Sequence, residues 1–268
     1  MNADTIWKDI KEIREDAPLV HNITNFVVME VTANALLAIG ASPVMSHALE
    51  DVEDMVNIAS SLVLNIGTLS EPWVEAMFRA GEAARRRGLR VVFDPVGSGA
   101  TRYRTETALR ILEELQPAII RGNASEIMSL VTSQTVTKGV DSRYGSDKAV
   151  DAAFRLTDKY HCVVSISGAV DRIVFQKEII KIANGHELMP RVTGLGCAAT
   201  ALTGAFAAVD PSPFEAAAAA MAVMGIAGEI AAENAQGPGS FRVRFIDALH
   251  AIRENDIRTR LQAAAESR

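Results

Sequence analysis

Apolar positions recur along this chain with two different periods. Short apolar runs of strand length alternate with longer stretches whose apolar residues fall three or four apart. Residues 4–15 predict an amphipathic helix, with Ile6, Ile10 and Ile13 on one side and Pro18 stopping it. Residues 19–23 predict a short strand, and Asn25 stands where it would cap a helix over 26–39 ended by Gly40. Residues 43–45 predict a strand, with Asp51 as the cap of the helix after it. Strands are predicted at 62–66, at 90–94 before Pro95, and at 118–120. Helices at 71–87, closed by Gly88, and at 105–115 separate them. The Thr/Ser/Gly-rich segment 131–145 predicts a loop, 146–160 a helix, 162–166 a strand, and 171–176 with 179–183 a hairpin. The remainder predicts helices at 196–208, 213–234, 240–253 and 255–265.

Strands joined by helical crossovers imply an α/β fold with a largely parallel central sheet and helices on both faces. Polar residues and glycines cluster just after the strands: His21-Asn22, Met45-Ser46-His47, Gly67-Thr68, Asp94 to Gly97 and Arg121-Gly122-Asn123. Ligands of open α/β sheets bind outside the carboxyl ends of the strands, so these five loops are expected to share one rim.

Composition narrows the class. The chain has 268 residues, 49% hydrophobic and 22% charged, with no repeat and no Pro- or Ser-rich linker, which suits one domain over 1–268. A net charge of -6 argues against general affinity for nucleic acid or acidic membranes, and Arg85-Arg86-Arg87 sits where cations complement a helix end. The N-terminus has no apolar signal-peptide core. The most apolar stretch, 213–232, carries Glu215 and Glu229 and is expected to be a buried helix rather than a membrane span. Two cysteines, Cys162 and Cys197, make no disulfide framework and fit a reducing cytoplasm.

Candidate chemistry centres on residues 191–200. Gly194 and Gly196 flank Leu195 just before an Ala-rich helix. Such a turn commonly serves close packing, but it also aims unpaired N–H groups at an anion. Cys197 falls in the first helical turn, where the dipole is expected to favour thiolate. Asp94 and Glu126 lie on the predicted rim. As local features they are a turn acid and a first-turn acid, and together they suit Mg²⁺. Arg121 suits phosphate, and Ser167 could donate to it. There is no P-loop and no Rossmann fingerprint, and no His/Cys cluster has zinc spacing. The five histidines are dispersed and mostly expected at surface or structural positions, with His47 on the rim the one that stands out.

Longer motifs carry a resemblance. Residues 20–28 (Val-His-Asn-Ile-Thr-Asn-Phe-Val-Val) and 33–45 (ending Gly-Ala-Ser-Pro-Val-Met) resemble the hydroxyethylthiazole kinases. So do Leu64 to Leu69, Asp94 to Gly97, Arg121 to Ile127 and Thr193 to Cys197. The resemblance runs from about residue 18 to 240. It implies a ribokinase-like fold and transfer of the ATP γ-phosphate to the hydroxyl of 4-methyl-5-(2-hydroxyethyl)thiazole in thiamine synthesis and salvage. It further implies Mg²⁺ and a homotrimer with active sites at subunit interfaces. By motif, Met45, Asn25, Val27 and Gly194 would face the thiazole, Arg121, Asn123 and Ser167 would bind ATP, and Asp94 and Glu126 would stand near Mg²⁺. The turn of Gly194, Gly196 and Cys197 would form the anion hole, with Cys197 orienting or weakly deprotonating the alcohol and not acting as a nucleophile. Leu195 departs from the Gly-Thr-Gly-Cys usual in the family, and Ser167 stands where Thr is frequent. Rival expectations are a kinase for another vitamin precursor, a repair dehydratase (which should carry Asp in place of Cys197), and a nucleotide-binding regulator.

Overall fold

A computed structural model of the chain describes residues 1–132 and 142–267. Among these, nine strands form one sheet in the order β2-β1-β3-β4-β5-β6-β7-β8-β9. They are β1 (Leu19–Ile23), β2 (Ser42–Val44), β3 (Ser61–Asn65), β4 (Val91–Asp94), β5 (Ile119–Asn123), β6 (Val163–Ser167), β7 (Asp171–Phe175), β8 (Glu178–Ile182) and β9 (Ala263–Ser267). Pairing is parallel from β2 through β6 and antiparallel from β6 to β9. The strands are apolar on both faces because helices cover both. Alternate residues of one strand join different cores: Leu62 and Leu64 pack with the helices between Val52 and Tyr160, and Val63 packs with the N-terminal and C-terminal helices.

Helix Ala3–Asp16 buries Ile6, Ile10 and Ile13 completely, as their spacing requires. Helix Pro213–Ala232 is long and apolar enough to span a bilayer, yet 83% of that apolar window is buried inside the fold, where its alanines admit close neighbours. Leu195–Val209 lies beside it and crosses β1, β3 and β4.

Three expectations change. Helix Met29–Ile39 starts later than residue 26 and has no side-chain cap, because Asn25 Oδ1 accepts the Val27 N–H ahead of it and its Nδ2 reaches Asn65. Asp51 likewise makes no cap bond; its carboxylate accepts the Ser46 hydroxyl. The last helix stops at Arg260, and Ala263–Ser267 is a strand on β8. Alanines favour helix locally, but β8 would otherwise present an open row of backbone donors and acceptors. Of the predicted 131–145 loop, residues 133–141 lie outside the described residues, and from Ser142 the chain is already helical.

Candidate active site

The site follows from the period of the strands. Val63, Val92 and Ile119 all face the core that holds helix Leu195–Val209. Two residues further along each strand the same face carries Asn65, Asp94 and Arg121, now at or near the carboxyl ends. Parallel register sets Asn65 beside Asp94. Three polar side chains are thus aimed from the sheet at the start of one helix.

They are joined by directed hydrogen bonds. Asn65 Nδ2 donates to Asp94 Oδ2 at 2.9 Å. The Thr200 hydroxyl donates to the same oxygen at 2.7 Å, against 3.4 Å to Gly196 O. Asn25 Nδ2 reaches Asn65 Oδ1 at 2.8 Å and the Cys197 sulfur at 3.6 Å. Burial pushes the Asp94 carboxyl up to about 7, against the pull of Arg121, Thr200 and Asn65. Among the described residues no hydrogen bond reaches its Oδ1.

Helix Leu195–Val209 begins at Gly194, whose φ of 92° is left-handed, and an added Cβ there would lie 2.6 Å from Val31. The first backbone N–H to close on the helix is that of Ala198, 2.8 Å from Gly194 O. The N–H groups of Leu195, Gly196 and Cys197 precede it and are left for a ligand. Beside them lies Arg121. A Cβ on Gly196 would sit 3.2 Å from its Nη1, so any larger residue there would press the guanidinium back by a few tenths of an ångström. Arg121 is 9% exposed, its Nε is buried without a partner, and no hydrogen bond or ion pair holds the group among the described residues. Asp94 and Asp171 act on it only through the field. A buried cation in this state is suited to an incoming anion.

Cys197 overturns its sequence expectation. Burial, then the nearby Asp94 charge, pushes the thiol up to about 11 instead of down. The dipole of the helix start is outweighed. Iodoacetamide should therefore label Cys197 slowly near neutral pH, with an inflection well above the roughly 8.5 of a free thiol. Cys162 is held higher still, at about 12, by burial. A labelling inflection near neutrality, mapped to Cys197 by mass spectrometry, would refute this account.

The remaining rim residues divide. Met45 follows β2, half-buried, and the loop after it is pinned where His21 Nε2 meets Ser46 O at 2.8 Å. His47 stacks on Trp73 with centroids 3.7 Å apart, and Phe26 lies on the same indole at 4.6 Å. Val27 is 66% exposed. Ser167 at the end of β6 faces the same edge, its hydroxyl 3.3 Å from Gly122 O. Asn123 Oδ1 and Glu126 are engaged in a capping box. Both Glu126 oxygens already accept backbone N–H groups, from Gly97 at 3.0 Å and Asn123 at 2.8 Å. No group of three His, Cys, Asp or Glu residues suited to a metal occurs among the described residues.

The hydroxyethylthiazole kinase family profile matches residues 10–255. The chain belongs to that family. A hydroxyethylthiazole kinase of Nitratidesulfovibrio vulgaris Miyazaki F is 56% identical over 97% of this chain and 98% of its own length. The structure of a hydroxyethylthiazole kinase from Pyrococcus horikoshii superposes with a TM-score of 0.91 at 43% identity, covering 98% of this chain and all of that one. A pyridoxal kinase of Staphylococcus aureus, 17% identical, shares the ribokinase-like fold, with a TM-score of 0.65 over 93% of this chain and 99% of its own.

The Leu195 side chain is buried in the core, so this residue offers the turn only its backbone. Asn65 and Thr200 were missed from the sequence. Their signal was positional: Asn65 shares strand parity with Val63 at a carboxyl end, and Thr200 lies one helical turn beyond Cys197.

Proposed function

We propose that the chain is an ATP-dependent hydroxyethylthiazole kinase, transferring the γ-phosphate of ATP to the hydroxyl of 4-methyl-5-(2-hydroxyethyl)thiazole in thiamine synthesis and salvage. The observation that carries this is the buried Arg121, unpartnered among the described residues, beside three helix-start N–H groups with no partner there either. That combination favours a dense, mobile negative charge, as on a phosphoryl group in transfer. Arg121, Ser167 and Asn123 take the nucleotide side. Asn25, Val27, Met45 and Gly194 take the thiazole side. The turn of Gly194, Gly196 and Cys197 lies between and stabilises the equatorial oxygens. Cys197 stays a thiol here, so it orients the alcohol and leaves most of the work to the backbone.

Asp94 fits Mg²⁺, because one of its oxygens is fixed by two donors and the other is left to a ligand. Glu126, already engaged with backbone, is suited to a more distant contact through water. When bound, the ion neutralises phosphate charge. The chain's own residues position the two substrates and exclude water.

A homotrimer with sites at subunit interfaces suits the apolar surface at the acceptor end. Phe26, Val27, Leu37 and Val243 are 64%, 66%, 59% and 63% exposed. The two helices concerned, Met29–Ile39 and Pro238–Ala251, pack together and are bridged by Arg242 and Glu30. Light scattering on the purified chain should give three times its mass, and Val27→Glu should lower that mass and the activity together. A monomeric, fully active parent would remove the assembly from the proposal. Cytoplasmic residence accords with two free cysteines. The deciding experiment is ADP release with ATP, Mg²⁺ and the thiazole alcohol, compared with pyridoxal and a hydroxymethylpyrimidine. No turnover of the thiazole would overturn the proposal.

A further inference from the structure

Asn65 bonds to both halves of the site, and backbone groups fix which way its amide points. The Gly67 N–H can only donate, and it meets Asn65 Oδ1 at 2.9 Å. Nδ2 must therefore face Asp94 Oδ2. The same logic fixes Asn25. The Val27 N–H donates to Asn25 Oδ1 at 3.1 Å, so its Nδ2 is the group directed at Asn65 Oδ1 and the Cys197 sulfur. From the other side Trp73 Nε1 donates to Thr24 O at 3.1 Å and holds the turn that carries Asn25. Asn65, 1% exposed, spends its amide hydrogen on the phosphate-side acid and shares its oxygen with the thiazole-side amide.

We propose that Asn65 is a positioning residue for phosphoryl transfer, holding the Asn25 amide and the Asp94 carboxylate in one fixed relation. This rests on the kinase reading above. Each end of the Asn65 amide limits one freedom: rotation of Asn25 away from Cys197, and rotation of Asp94 away from Thr200. Misplacement of either is costly because transfer needs the alcohol and the phosphoryl group in line. Thr200 touches Asp94 but not Asn25, which gives the comparison needed to separate the two ends.

The test uses the full chain, with Asn65→Ser, Thr200→Val and the double variant, each measured against the parent for kcat and both KM values. Asn65→Ser should lower kcat by roughly 10-fold or more and raise the KM for the thiazole alcohol, leaving the KM for ATP unchanged. Thr200→Val should lower kcat alone. The double variant should lose less than the product of the single losses, since both act on one Asp94 oxygen. A parent-like kcat and KM in Asn65→Ser, with only a lowered melting temperature, would overturn the proposal, as would losses that simply multiply. Should Asn65→Ser fail to fold, Asn25→Asp decides: it keeps the shape but turns an oxygen toward Asn65 Oδ1. It should lower kcat at least about 10-fold and raise the KM for the thiazole alcohol with the KM for ATP unchanged, while the buried charge lowers the melting temperature; an unchanged kcat would overturn the proposal. A parent inactive on the thiazole alcohol would bring down the kinase reading and this inference together. An active parent with variants unlike those described would bring down this inference alone.

Discussion

Arg121→Met is expected to lose phosphoryl transfer by on the order of 10³-fold, while the ligand-free protein melts no lower than the parent. The two halves of that outcome have one cause. A guanidinium at 9% exposure, with no hydrogen bond among the described residues, is an electrostatic burden on the empty fold. Methionine fills a similar volume without charge, so the burden goes. The same removal leaves the incoming phosphate with only the helix-start N–H groups. ATP should raise the parent's melting temperature through mass action and should leave that of Arg121→Met nearly unmoved. Arg121→Lys keeps a point charge but loses the planar fork, so it should fall between the two. Thermal melts with and without ATP and Mg²⁺, beside steady-state turnover, check all three. A methionine variant that melts lower than the parent and still gains from ATP would show that Arg121 serves the fold and not the nucleotide.

Much of the sheet was legible in the sequence because parallel strands buried on both faces leave short apolar runs bounded by Gly, Pro and Asp. β1 and helix Glu71–Arg87 fall where the pattern sets them. The rim was legible for the same reason, since polar residues just beyond apolar runs mark carboxyl ends. What failed was local inference where tertiary contacts compete. Asn25 has the residue type and place of a helix cap, but its amide is drawn to Asn65 and Cys197. Residues 263–267 have helical propensity, but the open edge of β8 takes them. Cys197 sits in a first turn, as expected, but its titration is decided by burial and by a carboxyl distant in sequence. The hydrogen-bonded links through Asn65 and Thr200 join residues up to 106 apart in the chain, and no short-range pattern encodes them.

Asp94→Asn is expected to lower kcat by on the order of 10³-fold and at the same time to make the protein more stable than the parent at alkaline pH. The variant's Oδ1 can still accept from Thr200 and Asn65, so the packing of the site survives. Its charge does not, and with the charge goes the group suited to Mg²⁺. The stability effect has a definite sign. Burial raises the Asp94 carboxyl from 3.8 to about 7 in the folded chain. Between those limits the native state holds a proton that the unfolded state has released. Stability carried by this group is therefore full below about pH 4, falls as pH rises, and is gone above about pH 7. Asparagine removes that dependence. The stability gap between variant and parent should be small in acid, widen across the window, and level off in alkali. Denaturant unfolding at matched ionic strength across that range measures it. A constant gap would mean that the carboxyl titrates normally and that its burial is offset by partners other than those seen. Cys197 offers an independent check on the same charge. Asp94 is the second cause, after burial, of its raised pKa, so its alkylation inflection should move down in Asp94→Asn. If turnover collapses while the thiol inflection stays in place, Asp94 acts through the metal and phosphate alone. If both move, one buried carboxylate sets the electrostatics of the nucleotide side and the acceptor side together, as the bonds through Asn65 require.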